Sequence, residues 1–334
     1  MTKHHRARHS EGMNLLRETS LDTHPEAAID AARRMEEILT AHPDGAVTEI
    51  LRLVPDRRAV FAGHWQGRAA IFRLALCATE TAEITAQWGE MQRLAPTMSD
   101  GPHRIASPLA LLPGGIVLVA GTVAGVPLLN HLWALDPARR IAEQARAAGW
   151  LAAYTRNTED WRPVNRGPWR SWAAEAVPRQ PHPRLQKVEA RLLQKFHRLS
   201  RLIGGDCTWR TVICHGDFHP NNLLRDDQAL HGIDLGAGLR APVYRDVARF
   251  LVHAARRDML PGRRRHFGVD AEGFDAFADA FRMTERERTL YLPFFITFET
   301  LIRVEHPRMP ARRIAHTRAM SDALLEDLRQ LVRG

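Results

Sequence analysis

The stretch that most limits what this chain can fold into is Thr211-Val-Ile-Cys-His-Gly-Asp-Phe-His-Pro-Asn-Asn-Leu-Leu224, followed by Gly232-Ile-Asp-Leu-Gly236. An apolar approach gives way to a polar loop, a short apolar run, a turn at Asp226-Asp227-Gln228 and a second apolar run ending in an acid. Run length and turn residues predict a strand, a loop and a hairpin. The hairpin returns Asp234 toward the loop, so Asp217, Asn222 and Asp234 converge. Taken singly, Asp217 or Asn222 is a turn residue, because Asx side chains favour turns. The second acid, one hairpin away, makes them a set.

That set suits phosphoryl transfer, which needs a carboxylate to orient an attacking hydroxyl and accept its proton. The reaction also needs hard oxygen ligands for magnesium, which is held largely through substrate phosphates. Kinases carry an Asp, an Asn five positions on, and a separate Asp-Phe-Gly. Asp217 and Asn222 keep that step, and Asp234-Leu235-Gly236 stands for the last motif. The segment from His215 to Gly236 resembles the aminoglycoside phosphotransferase and choline kinase group, the small-molecule branch of the protein-kinase-like fold. Its loop reads His-Gly-Asp where protein kinases have His-Arg-Asp.

The resemblance implies an α+β, two-lobed protein-kinase-like fold: a small antiparallel-sheet N-lobe and a larger, mainly helical C-lobe. It implies Asp217 as the catalytic base, Asn222 and Asp234 as ligands of one or two magnesium ions, and ATP as phosphoryl donor. His215 is expected to brace the loop through hydrogen bonds, and His219 is read as a satisfied loop histidine. Asp246, in Tyr244-Arg-Asp-Val-Ala248, is expected to cap a helix or brace the catalytic loop by accepting amide hydrogen bonds.

The preceding chain fits the same layout. Residues 1–45 read as an extension with one helix, entered through the capping box Thr23-x-x-Glu26 with Pro25 in its first turn. His4, His5 and His9 lie in a polar terminus. Residues 46–125 read as the N-lobe, with strands at Val47–Val54, Ala59–Ala62 and Ala69–Ala75, a helix from Thr81 to Leu94, and a strand and connector from Ile116 to Gly125. Residues 126–334 read as the helical C-lobe with the catalytic loop and the acceptor pocket. By the resemblance, Arg73 takes the place of the third-strand lysine that holds nucleotide phosphates. Glu90 is its expected partner, with Glu83 one helical face away. Adenine is expected against the backbone from Val119 to Thr122, Val119 and Gly121 included. The first turn, Pro55-Asp-Arg-Arg58, lacks the small residues of a phosphate nest. Arg57 and Arg58 either supply charge there or decorate a hairpin.

Trp161, Trp169 and Trp172 fall in a Pro/Gly-punctuated stretch and are read as anchors of an ordered loop. The choline-kinase resemblance leaves open a second use, as a cation–π cage. Tyr291, Phe294, Phe295 and Phe298 are expected in the core.

The 334 residues suffice for one large domain or two lobes, and the formal charge of +9 is carried almost wholly by arginine. The arginines are dispersed, which argues for a solvated basic surface and against nucleic acid as partner. Cys77, Cys207 and Cys214 have no metal-ligand spacing. No apolar core follows the basic start and no apolar run has transmembrane length, so a cytoplasmic protein without membrane partner is expected. The expected activity is ATP- and Mg2+-dependent transfer of the γ-phosphoryl group to a hydroxyl of a small molecule: an aminoglycoside, amino alcohol, sugar or similar. Glu272, Asp275, Asp279 and Glu299 are interleaved with arginines, which argues against a dedicated aminoglycoside pocket. The alternative is a catalytically weak or inactive kinase-like protein that binds nucleotide or a partner.

Overall fold

The computed structural model describes residues 24–332. They fall into two compact units, one running to Ser99 and resuming at Ile105–Val123, the other holding Asp100–Arg104 and the chain from Ala124 onward.

The first unit opens with helix α1 (Pro25–Thr40), strands β1 (Gly45–Val54), β2 (Arg58–Trp65) and β3 (Arg68–Ala75), and helix α2 (Ala78–Met98). After β4 (His103–Ile105) come β5 (Pro108–Leu111) and β6 (Val117–Gly121). The sheet order is β1-β2-β3-β6-β5, antiparallel throughout. Side chains alternate across a strand, so Ala70, Phe72 and Leu74 of β3 bury with Phe61, Val117 and Val119. Ala31, Met35 and Leu39, four residues apart along α1, enter the same core. Arg73, between Phe72 and Leu74, therefore leaves the opposite face, where it meets α2. Proline opens α1 at its first position and His24 flanks it without a side-chain cap. Thr23, the expected cap, lies outside the described residues, as do His4, His5 and His9.

The second unit continues with β7 (Val126–Pro127), α3 (Leu128–Ala134), α4 (Pro137–Thr155), β8 (Asp160–Pro163), α5 (Gly167–Ala176) and α6 (Pro183–Ile203). Then follow β9 (Thr208–Ile213), β10 (Leu223–Arg225), β11 (Leu230–Gly232), β12 (Arg240–Pro242) and α7 (Tyr244–Ala255). Helices α8 (Ala271–Ala280), α9 (Leu292–Leu301) and α10 (Ala311–Leu331) close the chain. Asp136 caps α4 by accepting from the Arg139 amide at 3.0 Å. The helical run that follows Thr284 passes through a π turn at Glu287–Tyr291 and ends at Leu301. The Glu287 carboxylate is held there by the Thr284 amide at 2.8 Å and the Tyr244 hydroxyl at 2.8 Å. Tyr291, Phe294, Phe295 and Phe298 are all buried, as their spacing predicts. Among the described residues no helix is long and apolar enough to cross a membrane.

Met35 is fully buried beneath the sheet. Met35→Ala is expected to cost about 2–5 kcal/mol of stability, a buried methionine truncation that leaves a cavity. A lowered midpoint in urea unfolding of the full chain measures it; an unchanged midpoint would show that α1 contributes nothing to this core.

Candidate active site

Strand β9 runs in the centre of a three-stranded sheet, order β12-β9-β8, and delivers the chain into the loop that begins at Cys214. The loop is fixed by a carboxylate from another element. Asp246, fully buried in the first turn of α7, accepts hydrogen bonds from the backbone amides of His215 (2.7 Å) and Gly216 (3.0 Å). Gly216 has φ +81°, a conformation that favours glycine. His215 braces the loop differently from expectation. Its amide makes the hydrogen bond, while both ring nitrogens are buried without partners. The ring packs among Trp150, Tyr154 and Phe218. Burial lowers its pKa and keeps the imidazole neutral.

The remaining loop is set by its own backbone. The Asn222 side-chain amide donates to the Asp217 carbonyl at 2.9 Å, and the Ile233 amide donates to the Asn222 carbonyl at 3.0 Å. These two bonds join the loop to the residue preceding Asp234. The hairpin between them pairs Leu223 with Gly232, and its turn is closed by Asp226, whose carboxylate accepts from the Gln228 and Ala229 amides. Those bonds hold the Asp226 carboxyl down at about 2. Asp234 is exposed and takes φ +53°, a backbone state uncommon outside glycine and enriched in Asp and Asn. Gly236 is required: a Cβ there would stand 2.2 Å from the His215 carbonyl oxygen. Asp217, Asn222 and Asp234 are thus brought together on one hydrogen-bonded frame.

The Asn222 side-chain nitrogen is committed to the Asp217 carbonyl, so its amide oxygen and the Asp234 carboxylate are the donors these two residues could offer a cation. Two hard oxygens fit a magnesium ion that draws its other ligands from phosphate and water. Among the described residues, no group of three or more His, Cys, Asp and Glu is gathered for a metal.

Asp217 has two side-chain neighbours, Arg249, which the sequence reading does not single out, and His219, which it does. Arg249 of α7 forms an ion pair with its carboxylate, and His219 Nε2 lies 3.5 Å from the same oxygen. Arg249 also stands 3.7 Å from Glu299, a fully buried acid of α9 that further meets Arg245 and Arg303. Arg249 lies three helical residues after a recognisable loop-bracing Asp, near enough along α7 to be sought there. His219 stacks on His253 at 4.5 Å, and burial depresses it to about 4, so it is neutral near pH 7.

In the first unit, the Arg73 guanidinium binds Glu80 (Nε to Oε1, 2.8 Å) and Gln87 (2.7 Å), and approaches Glu83 at 3.5 Å. Glu90, the expected partner, instead pairs with Arg93 three residues on. Helix α2 begins at Ala78, earlier than its apolar pattern indicates, and this brings residues 80, 83 and 87 opposite Arg73. Arg57 is fastened to Glu80 at 2.9 Å and Glu83 at 3.0 Å, and Arg58 to Glu80 at 3.4 Å, so the hairpin arginines clamp the first turn onto α2. Val119 is buried in β6, paired with Phe72 and Ala110. The Gly121 and Thr122 amides are already used, donating to Ser107 and Ala69 at 2.8 and 3.0 Å. Both amides are thus engaged within the first unit's own backbone.

The tryptophans form no common cage. Trp169 is buried in α5 against Phe295 and Phe298, Trp172 meets it edge-on, and Trp161 lies on β8 beneath Arg210. The acids weighed for an acceptor pocket are likewise engaged: Asp275 and Asp279 with Arg288, Glu272 with Arg264.

Burial pulls the Glu80 carboxyl upward. Hydrogen bonds from Arg73 and Arg57, with the charges of Arg73 and Arg58, outweigh it and hold the pKa below 4.5. Its contribution to stability is therefore complete above pH 4.5 and is lost as pH falls through the depressed value. Glu80→Gln is expected to lower the Tm at pH 7 clearly more than Glu90→Gln, because it leaves a cluster of arginines without its carboxylate. The difference shrinks as the melts are repeated toward pH 3; equal losses at pH 7 would refute the reassignment.

The phosphotransferase enzyme family matches residues 54–283 of the chain. Comparison with curated proteins finds no match. Among solved structures, the chain resembles a glucosamine kinase in complex with glucosamine, ADP and inorganic phosphate, with TM-score 0.56, 15% identity, and 88% of this chain and 82% of that one covered. An amicoumacin kinase in complex with AMP-PNP and Ca2+ aligns with TM-score 0.53 and 12% identity over 89% and 96% of the two chains. A spectinomycin phosphotransferase in complex with ADP and spectinomycin gives 0.52 and 10% over 90% and 98%. At such identities the likeness is one of fold. The family match spans well over half the sequence, so this protein belongs to the phosphotransferase enzyme family.

Proposed function

We propose that this phosphotransferase moves the γ-phosphoryl group of ATP, with magnesium, to a hydroxyl of a small molecule. The observation that supports the reading is the hydrogen-bonded frame from Asp217 through Asn222 to Ile233; in this reading Asp217 orients the hydroxyl, and Asn222 and Asp234 are the hard oxygen ligands. In this reading residues 46–125 bind the nucleotide and residues 126–334 carry the loop and the acceptor, and the reaction runs in the cytoplasm, where ATP and magnesium are abundant.

Asp217 accepts a hydrogen bond from the acceptor hydroxyl and takes its proton as the oxygen bonds to the γ-phosphorus and the bond to the β–γ bridging oxygen breaks. Arg249 fixes which way the carboxylate points. Positioning matters most here, because the transition state of phosphoryl transfer is loose and asks little covalent chemistry of the protein. Asn222 and Asp234 would hold the magnesium, whose chemistry is to neutralise charge on the phosphoryl oxygens. Arg73, steadied by Glu80 and Gln87, is assigned to the nucleotide phosphates. The acceptors named for similar structures, glucosamine and spectinomycin among them, are polyhydroxylated small molecules.

Adding ATP with magnesium is expected to raise the Tm, since a ligand at a hundredfold over its Kd stabilises by about 2.7 kcal/mol. Asp234→Asn is expected to abolish the magnesium-dependent part of that rise. Asp217→Asn is expected to keep the rise but to lower ADP release with a competent acceptor by about 10²–10⁴-fold, the range for loss of a general base. Absence of any nucleotide-dependent rise in folded wild type would refute the proposal.

A further inference from the structure

A cavity of about 280 Å³ opens beside the catalytic loop, lined by α7, by the segment between α9 and α10, by the first turn of α10 and by His219. That size lies near the lower end of ligand cavities, roughly 300 Å³ upward. Its lining is unusual in charge. Arg249, Arg256, Arg257, Arg303 and Arg313 contribute five guanidinium groups, and Glu305 is the one carboxylate among the described residues that line it.

The nearby acids do not balance this charge. Glu305 is shared between Arg256 (3.1 Å) and Arg313 (3.6 Å), with the Thr317 hydroxyl also on it at 2.9 Å. Glu299, behind the cavity, serves Arg245, Arg249 and Arg303 together. Arg257 has no carboxylate partner among the described residues; its guanidinium donates to the His253 carbonyl at 2.9 Å. Three residues of the lining also keep a buried polar atom without a hydrogen-bond partner, His219 Nδ1, Arg249 Nε and His253 Nε2, while Arg313 Nε meets only Glu305, at 3.6 Å. Buried, unpaired donors and surplus like charge are costly in an apolar interior unless an anion satisfies them. The cavity reaches the reacting group through Arg249 and His219, both beside Asp217.

We infer that the acceptor is an anionic hydroxyl compound, whose carboxylate or phosphate group is held by the arginines of this cavity while its hydroxyl faces Asp217. The inference rests on the reading of Asp217 as the acceptor-orienting group. It excludes polycationic aminoglycosides as the acceptor, since five arginines repel an ammonium group.

The test is a thermal-shift series on the full chain at fixed ionic strength, without nucleotide. The probes share one scaffold: glycerate, glycerol 3-phosphate, glycerol and 3-amino-1,2-propanediol, with kanamycin as a polycation. At least one of the two anions is expected to raise the Tm, and which one does so separates carboxylate from phosphate recognition. Glycerol, the amine and kanamycin are expected to leave it unchanged. Arg257→Gln is expected to weaken the anion's binding about tenfold or more, as for loss of one buried charge partner, with Arg257→Lys retaining part of it. The unliganded Tm of Arg257→Gln should equal or exceed that of wild type, whereas a merely structural Arg257 would lower it. A rise with the amine or kanamycin, no rise with either anion, or an anion-induced rise undiminished in Arg257→Gln would overturn the inference. A parallel titration with ATP and magnesium reads the phosphotransferase assignment separately: it can fail while the anion binds, and hold while the anion does not.

Discussion

The buried carboxylate of Asp246 is the constraint on which the rest of the site depends. Taking a carboxylate fully out of water is costly, and it is tolerated where hydrogen-bond donors meet it. Here the donors are the His215 and Gly216 amides, and charge-assisted bonds of this kind are worth about 1.5–3 kcal/mol each. The pairing places the start of α7 against the start of the loop that carries Asp217. Around it, Trp150 stacks on Tyr154 and Phe218 at 5.3 and 5.8 Å, with His215 between them. A ring box on one side and a carboxylate on the other leave the loop little freedom, so Asp217 and Asn222 are presented by a frame that is rigid for reasons outside themselves. The same arrangement makes Gly236 obligatory, because the chain returning from the hairpin passes against the His215 carbonyl.

A second theme is how an arginine-rich chain distributes its charge. Several buried acids each collect more than one guanidinium or hydroxyl. Glu80 takes Arg57, Arg58 and Arg73; Glu287 takes Arg210, Tyr244 and Thr284; Glu299 takes three arginines; Glu305 takes Arg256 and Arg313. These hubs tie elements distant in sequence, such as α2 to the β1–β2 hairpin and α7 to α9. Beside α7, five arginines and a single carboxylate line one cavity. Net charge alone suggests a diffuse basic protein; the structure concentrates part of it next to Asp217.

What the sequence revealed and what it hid divide along the distance between partners. The loop and hairpin are legible because Asp217, Asn222 and Asp234 lie within eighteen residues, and turn chemistry at Asp226 fixes their return. The sheet of the first unit is legible from alternation, and Arg73 falls on the polar side of β3 as that alternation requires. Its partner was misplaced because the start of α2 carries no cap: Cys77 flanks it without a side-chain hydrogen bond, and the apolar pattern begins only later. The clamp of Arg57 and Arg58 on Glu80, some twenty residues away, has no local signature. Nor has the arginine cavity, assembled from α7, the segment after α9 and a loop histidine. Strands β8 and β12 were missed for a related reason. Each is three or four residues long and Pro-bearing, and each is a strand because β9 offers it an edge.

The exchange of lysine for arginine at position 73 follows from these partners. A lysine presents one compact ammonium that a single glutamate satisfies, whereas a guanidinium presents a planar fork with donors pointing in several directions. Arg73 uses that breadth: Glu80 takes the Nε side of the fork and Gln87, two helical turns further along α2, takes Nη1. Residues two turns apart are separated by about 10 Å along the helix axis, a span that one ammonium bridges poorly and a fork can. Gln87 adds no charge, so the second contact orients the guanidinium without neutralising it further. The arrangement is thus a matched set, in which the fork, the acid and the amide fit each other and a simple return to lysine at position 73 would leave Gln87 without its donor.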